Sequence, residues 1–166
     1  MINWKYCPQC KNGLDRSGEY PYCKNCDLTI YQDSKPTASV LLVKDDKVLL
    51  AKRSIEPFKG MYDVIGGFLK EGEDPIVGVK REVKEETGLN IKILDFLGIY
   101  MDTYGSTGQH TFNVYYVGEI TGGEMSAQED VAELEWVPIA SPPEMAFRSQ
   151  DKTLKDLQKW YSKQRI

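Results

Sequence analysis

Three carboxylates and four thiols are the residues best placed to do chemistry. Arg81–Leu89 reads REVKEETGL, and Glu82, Glu85 and Glu86 stand at i, i+3 and i+4. On a helix these positions share one face, and like charges so spaced cost about 0.2–0.5 kcal/mol per pair. One reading is a solvated helix face, with Lys80 and Lys84 compensating. The other is a divalent cation site, since Mg²⁺ takes oxygen ligands from a few carboxylates together with substrate phosphates. Gly66-Gly67 place bare backbone beside the helix start, where a carbonyl can join the metal. Glu73 precedes the helix, and Arg81 within it is a partner for that acid.

The thiols form two pairs, Cys7-Pro-Gln-Cys10 and Cys23-Lys-Asn-Cys26, with twelve residues between them. Four thiolates at such spacing suit tetrahedral Zn²⁺. Each pair is expected to form a knuckle, with the intervening segment as a closing hairpin. A segment this short buries too little apolar area to fold alone, so metal binding supplies the missing free energy. Two disulfides would conflict with a cytoplasmic chain, and a redox C-x-x-C lacks its usual βαβ context. With every position a cysteine, the site reads as structural rather than catalytic.

Several elements must position these groups. Asp74-Pro75 supplies an N-cap and first helical residue, Ile76, Val79 and Val83 follow at core-facing spacing, and Gly88 stops the helix. A helix is predicted over 75–87. TASVLLVK and KVLLAKR flank an Asp-Asp break and read as a hairpin; GMYDVIGGFL suggests strands around a tight backbone approach. NIKILDFLGIYMDTY and TFNVYYVGEI read as two long strands joined by GSTG, and AELEWVPI as another. DKTLKDLQKWYSKQ is an amphipathic closing helix with Leu154, Leu157 and Trp160 or Tyr161 inward. The order predicts an α+β domain, layered as an α/β/α sandwich, over 35–166, preceded by a small unit over 1–34.

The 166 residues suit that division, and 41% hydrophobic composition is ordinary for a globular chain. A net charge of -4 gives no global attraction to nucleic acid or anionic membrane. The N-terminus has no apolar leader, and no apolar run approaches the ~20 residues of a membrane span. A cytoplasmic location with no membrane partner is the expectation.

Gly67, five residues, Glu73, seven residues, then Arg81-Glu82-Val83-Lys84-Glu85-Glu86-Thr87-Gly88-Leu89 resembles the complete Nudix box. The resemblance extends over about 36–165. It implies a mixed sheet sandwiched by helices, with the box as a loop–helix–loop, and metal-dependent hydrolysis of a nucleoside diphosphate linked to another group. It assigns Glu82 and Glu86 as core Mg²⁺ or Mn²⁺ ligands with Glu85 close by, the Gly66 carbonyl as backbone ligand, and Glu73–Arg81 as an orienting salt bridge. Glu82 and Glu86 are both candidates for the general base.

Family members often add an acid from a later loop. Asp130, six residues before Trp136, is the candidate, with Glu129 and Glu133 as alternatives.

A zinc ribbon ahead of a Nudix domain resembles NADH pyrophosphatases and an ADP-ribose pyrophosphatase-like branch. The NADH enzymes carry Ser-Gln-Pro-x-x-x-Pro-x-x-Ser after the box; here that region reads FLGIYMDTYGSTGQHTFN, which argues against NADH specificity. Ile65 stands where many members have Pro before the paired glycines. The resemblance therefore implies ADP-ribose as first substrate, giving AMP and ribose 5-phosphate, with NAD(H), other dinucleotides or a nucleotide cap on RNA as alternatives. It also implies a homodimer.

Outside the box, Arg53 is a candidate phosphate contact, and Phe58, Tyr62, Asp102, Thr103 and Tyr104 are candidates for the substrate mouth. The lone His110 is a candidate base whose more ordinary reading is an incidental loop residue. A zinc-ribbon module that binds nucleic acid or protein, with a non-catalytic Nudix domain, is the alternative of another class.

Overall fold

A computed structural model describes residues 4–164. The chain divides into two units, one ending at Ser34 and one beginning at Lys35. In the first, β1 (Tyr22–Cys23) and β2 (Leu28–Thr29) pair antiparallel. This hairpin brackets the second cysteine pair. The stretch between the pairs also folds back on itself, as expected, through an antiparallel bridge with reciprocal backbone hydrogen bonds of 2.8 Å between Asp15 and Tyr22. The turn that must bend the Cys23–Cys26 knuckle is itself the hairpin turn, so the ladder forms around it.

The second unit is built on a mixed sheet. β3 (Lys35–Lys44) turns at Asp45-Asp46 into β4 (Lys47–Arg53). β5 (Tyr62–Asp63) and β6 (Ile65–Phe68) come next and pair with β4 and β3. Helix α1 (Pro75–Thr87) is followed by β7 (Leu89–Tyr104), a short 3₁₀ turn at Gly105–Thr107 and β8 (Gln109–Gly123). β9 (Val131–Pro138) pairs with β4, and α2 (Arg148–Lys163) closes the chain. The central order is β5-β4-β3-β8-β7, with β3 and β8 parallel.

Strand alternation sorts the core into two layers. Val40, Leu42, Leu49, Ala51 and Ile65 pack with Val79 and Val83 of α1. Leu41, Val48, Leu50 and Val117 pack with Leu154 and Leu157 of α2. A sheet covered on both faces explains the uninterrupted apolar run of β3. The architecture is the predicted α/β/α sandwich.

One face and one boundary differ from expectation. Ile76 is exposed; Gly78 takes the close approach of the first turn, where a Cβ would sit 2.3 Å from the Leu69 side chain. Helix α2 begins at Arg148 rather than near Asp151, because its cap is remote in sequence: the Ser149 backbone N–H donates to Asp102 Oδ2 at 2.6 Å.

Candidate active site

Helix α1 is fixed at both ends by its own sequence. Asp74 accepts from the Ile76 and Val77 amides, and the Gly88 amide donates to the Lys84 carbonyl. Its acids therefore project at set angles. Glu86 is buried, and its Oε2 accepts from the Gly66 amide at 3.0 Å. Burial pushes its carboxyl well above the usual carboxylate range, with Asp130, Asp63 and Glu82 adding to the rise. Glu82 is also raised, first by burial, against the pull of Arg81.

Arg81 offsets the charge stacked beside it. Its Nε and Nη2 each donate to Glu73 at 2.7 Å, and Nη1 donates to both Glu82 and Glu85 at 2.8 Å. This fork-shaped grip holds Glu73 at about 2. Glu85 is thus engaged chiefly in holding Arg81.

The two glycines serve different ends: the backbone requires Gly66, and the Glu82 carboxylate occupies the space beside Gly67. Gly66 adopts φ +143, and a Cβ there would lie 2.3 Å from the Ala38 carbonyl oxygen. At Gly67 a Cβ would meet the Glu82 carboxylate at 2.7–2.8 Å. Bare backbone is what lets a carboxylate lie flat against this loop. The side-chain donors gathered at this loop are carboxylates, an all-oxygen set that fits a hard cation such as Mg²⁺. Gly67→Ala should keep the fold yet displace Glu82, weakening Mn²⁺ binding by about 10–100-fold, the range for disturbing a ligand's support; titration calorimetry reads this, and unchanged affinity would remove Glu82 from the ligand set.

From Gly66 and Asp130 a cleft of about 610 Å³, including its open mouth, runs between the sheet and the start of α2. Asp63, Asp102, Asn113, Phe68, Tyr104, Phe147 and Gln150 line it. Among the later-loop acids the structure distinguishes Asp130, which lines both the cleft and the recess beside Glu86. Glu129 is exposed, and Glu133 pairs with Lys52 at 2.8 Å.

The residues predicted for the mouth divide. Tyr104 lines the cleft, stacked on Phe147 at 5.6 Å with its edge contact to Phe68 at 5.5 Å. Asp102 lines it too, but its carboxylate accepts from the Thr103 and Ser149 amides. Arg53 lies in the wall with Nη1 on Asp63 at 2.5 Å. Tyr62 is not brought to the cleft: its hydroxyl donates to Glu135 at 2.6 Å, and its neighbour Asp63 faces inward instead. Phe58 packs its ring edge on Phe147 at 5.3 Å, and His110 is exposed beside Thr103. Asp63, Phe147 and Gln150 were missed by sequence reasoning. Only the position of Asp63 just ahead of the glycines hinted at it.

In the first unit the Sγ atoms of Cys7, Cys10, Cys23 and Cys26 all lie within 4.8 Å of one another, and the cysteines are free thiols. Cys10 and Cys23 Sγ are 3.6 Å apart, close to the roughly 3.8 Å that a tetrahedral site with ~2.3 Å Zn–S bonds requires. The Asn12 backbone draws the Cys10 thiol down to about 6, whereas hydrogen bonding with Cys10 lifts Cys26 to about 12. Thiols this close share protons unless a cation replaces them.

The sandwich thus sets a glycine loop and an acid-bearing helix beside an open cleft. The NUDIX domain family matches residues 33–157, so the chain belongs to the Nudix hydrolases. It is 37% identical over 120 residues to an ADP-ribose pyrophosphatase of Methanocaldococcus jannaschii, covering 72% of this chain and 70% of that protein. Over 157 residues it is 32% identical to the NAD-capped RNA hydrolase NudC of Pseudomonas fluorescens, covering 92% of this chain and 55% of NudC. It thus spans about half the length of its NudC relative. A Nudix hydrolase structure from Nitrosomonas europaea superposes with TM-score 0.78 at 23% identity, over 92% of this chain and 89% of that one. Among the described residues, no helix is long and apolar enough to cross a membrane.

Proposed function

We propose that this chain is a Mg²⁺- or Mn²⁺-dependent pyrophosphohydrolase that cleaves ADP-ribose to AMP and ribose 5-phosphate. The carrying observation is buried Glu86, which accepts from the Gly66 amide, shares a recess with Asp130 at one end of the cleft, and feels the charge of Glu82. Glu82, Glu86, Asp130 and the Gly66 carbonyl would hold the cation. When bound, it supplies charge neutralisation at a pyrophosphate and a lowered pKa for an attacking water. Glu82 or Glu86 would take the proton of that water; Arg81, gripped by Glu73, keeps Glu82 in place, and the Gly66 amide keeps Glu86.

The names of the two relatives support this substrate class, because each describes an adenine nucleotide joined through a diphosphate. The missing Ser-Gln-Pro signature favours ADP-ribose over NADH. The match to NudC across both units keeps NAD(H) and related dinucleotides as the second reading. Cys7, Cys10, Cys23 and Cys26 would hold a structural Zn²⁺, and unbonded thiols suit the cytoplasm. Exposed Phe96, Ile99 and Met101 on the edge strand β7 give a homodimer an apolar surface to bury.

The test is a screen of nucleoside diphosphate derivatives with Mg²⁺ or Mn²⁺, following released AMP. ADP-ribose should be turned over with the highest kcat/KM. Preference for NAD(H) would replace the first reading with the second. Absence of turnover on every anhydride, with a ribbon-dependent binding activity instead, would support the binding-module alternative.

A further inference from the structure

The deep wall of the cleft holds two polar atoms without a partner. Arg53 and Gln150 are 8% and 3% exposed, and both line the cleft. Buried Asp63 holds both: one carboxylate oxygen accepts from Arg53 Nη1 and the other from Gln150 Nε2. Arg53 Nε is spent on the Pro57 carbonyl at 2.6 Å. The guanidinium face rests on Phe147 at 5.3 Å, the Tyr104 hydroxyl engages the guanidinium as well, and the Tyr115 hydroxyl is a neighbour of the Gln150 amide. After these contacts Arg53 Nη2 and Gln150 Oε1 remain buried with no hydrogen-bond partner. A buried polar atom left unpaired is costly, and native structures keep few. Here one is a donor, the other an acceptor, and a single carboxylate fixes the orientation of both. Aromatic rings adjoin them: Tyr104 stacks on Phe147, and Phe68 is exposed at the rim.

We propose that Arg53 Nη2 and Gln150 Oε1 form a specificity-determining pair that reads the edge of a planar heterocycle bearing a hydrogen-bond acceptor beside an amino group. Gln150 Oε1 accepts from the amino group, and Arg53 Nη2 donates to the neighbouring acceptor. Asp63 is a positioning residue for both. Two sources present that edge: the 6-amino edge of adenine and the carboxamide of a nicotinamide ring. The inference rests on the reading of the chain as a nucleotide pyrophosphatase for the identity of the ligand, but its test needs no turnover.

The probes are AMP against its 6-deamino analogue, purine riboside 5′-monophosphate, and nicotinamide mononucleotide against its 3-acetylpyridine counterpart. Affinities are measured by calorimetry on the full chain, wild type and Gln150→Met. The wild type should bind one amino-bearing member about tenfold more tightly than its analogue, the worth of roughly one hydrogen bond. Gln150→Met should bind both members equally, at the weaker level. Discrimination confined to the AMP pair assigns the wall to adenine; discrimination confined to the nicotinamide pair assigns it to the pyridine ring. Equal wild-type affinities within both pairs would overturn the proposal whether or not the variant folds, leaving Arg53 and Gln150 as parts of the scaffold. Pyrophosphatase activity is scored separately, so either conclusion can fail while the other stands.

Discussion

Glu82→Gln and Glu86→Gln should each lower kcat by about 10²–10³-fold or more, as expected when one electrostatic contributor to a transition state is removed. Each exchange keeps the shape of the side chain and deletes its negative charge. The fold should survive. Neutralising Glu86 relieves repulsion with Asp130, Asp63 and Glu82, and an amide oxygen still accepts from the Gly66 amide. Glu86→Gln should therefore melt no lower than wild type, and a higher melting temperature would fit. Lost activity with retained stability separates a cation-binding cluster from a structural one. Near-normal turnover in both variants would end the catalytic reading of the helix.

Cys23→Ser should have a comparably large effect in the other unit. Cys23 is fully buried, its Sγ is in contact with Cys10, and it ends the strand that shapes the second knuckle. Apparent Zn²⁺ binding energies in small ribbons are about 10–16 kcal/mol near neutral pH, more than such a segment gains from its own core. The variant should carry no stoichiometric zinc. Amides around Asp15 and Tyr22 should lose their hydrogen-exchange protection, while those of the β3–β8 ladder keep theirs. Full zinc content in Cys23→Ser would show that the quartet is not the metal site.

What could be read from the sequence was local. The acid helix announces itself because Asp74, the three glutamates and Gly88 act within one segment, and spacing converts directly into shared direction. The two C-x-x-C pairs are legible for the same reason. The sandwich followed from the periodicities of long elements such as β3 and α2, whose apolar residues alternate or recur over many positions. The cleft wall was not legible. Asp63 and Gln150 meet across 87 positions, and no pattern on either side marks the encounter. Tyr62 was misplaced because a two-residue strand gives no alternation from which to choose a face. The early start of α2 escaped for a related reason: its cap comes from Asp102, on another strand, instead of from the residue before it.

That remote cap has an evolutionary consequence. The groups proposed to cut the anhydride belong mostly to α1 and its preceding loop, whereas Ser149 and Gln150, at the far wall, sit in the first turn of a helix tethered to β7 through Asp102. If Gln150 reads the ligand as proposed, exchanges near position 150 would retune which molecules are welcomed without disturbing the scissors. On that proposal a lineage could diversify its diet by editing the first turn of α2 and leave the cutting edge unchanged.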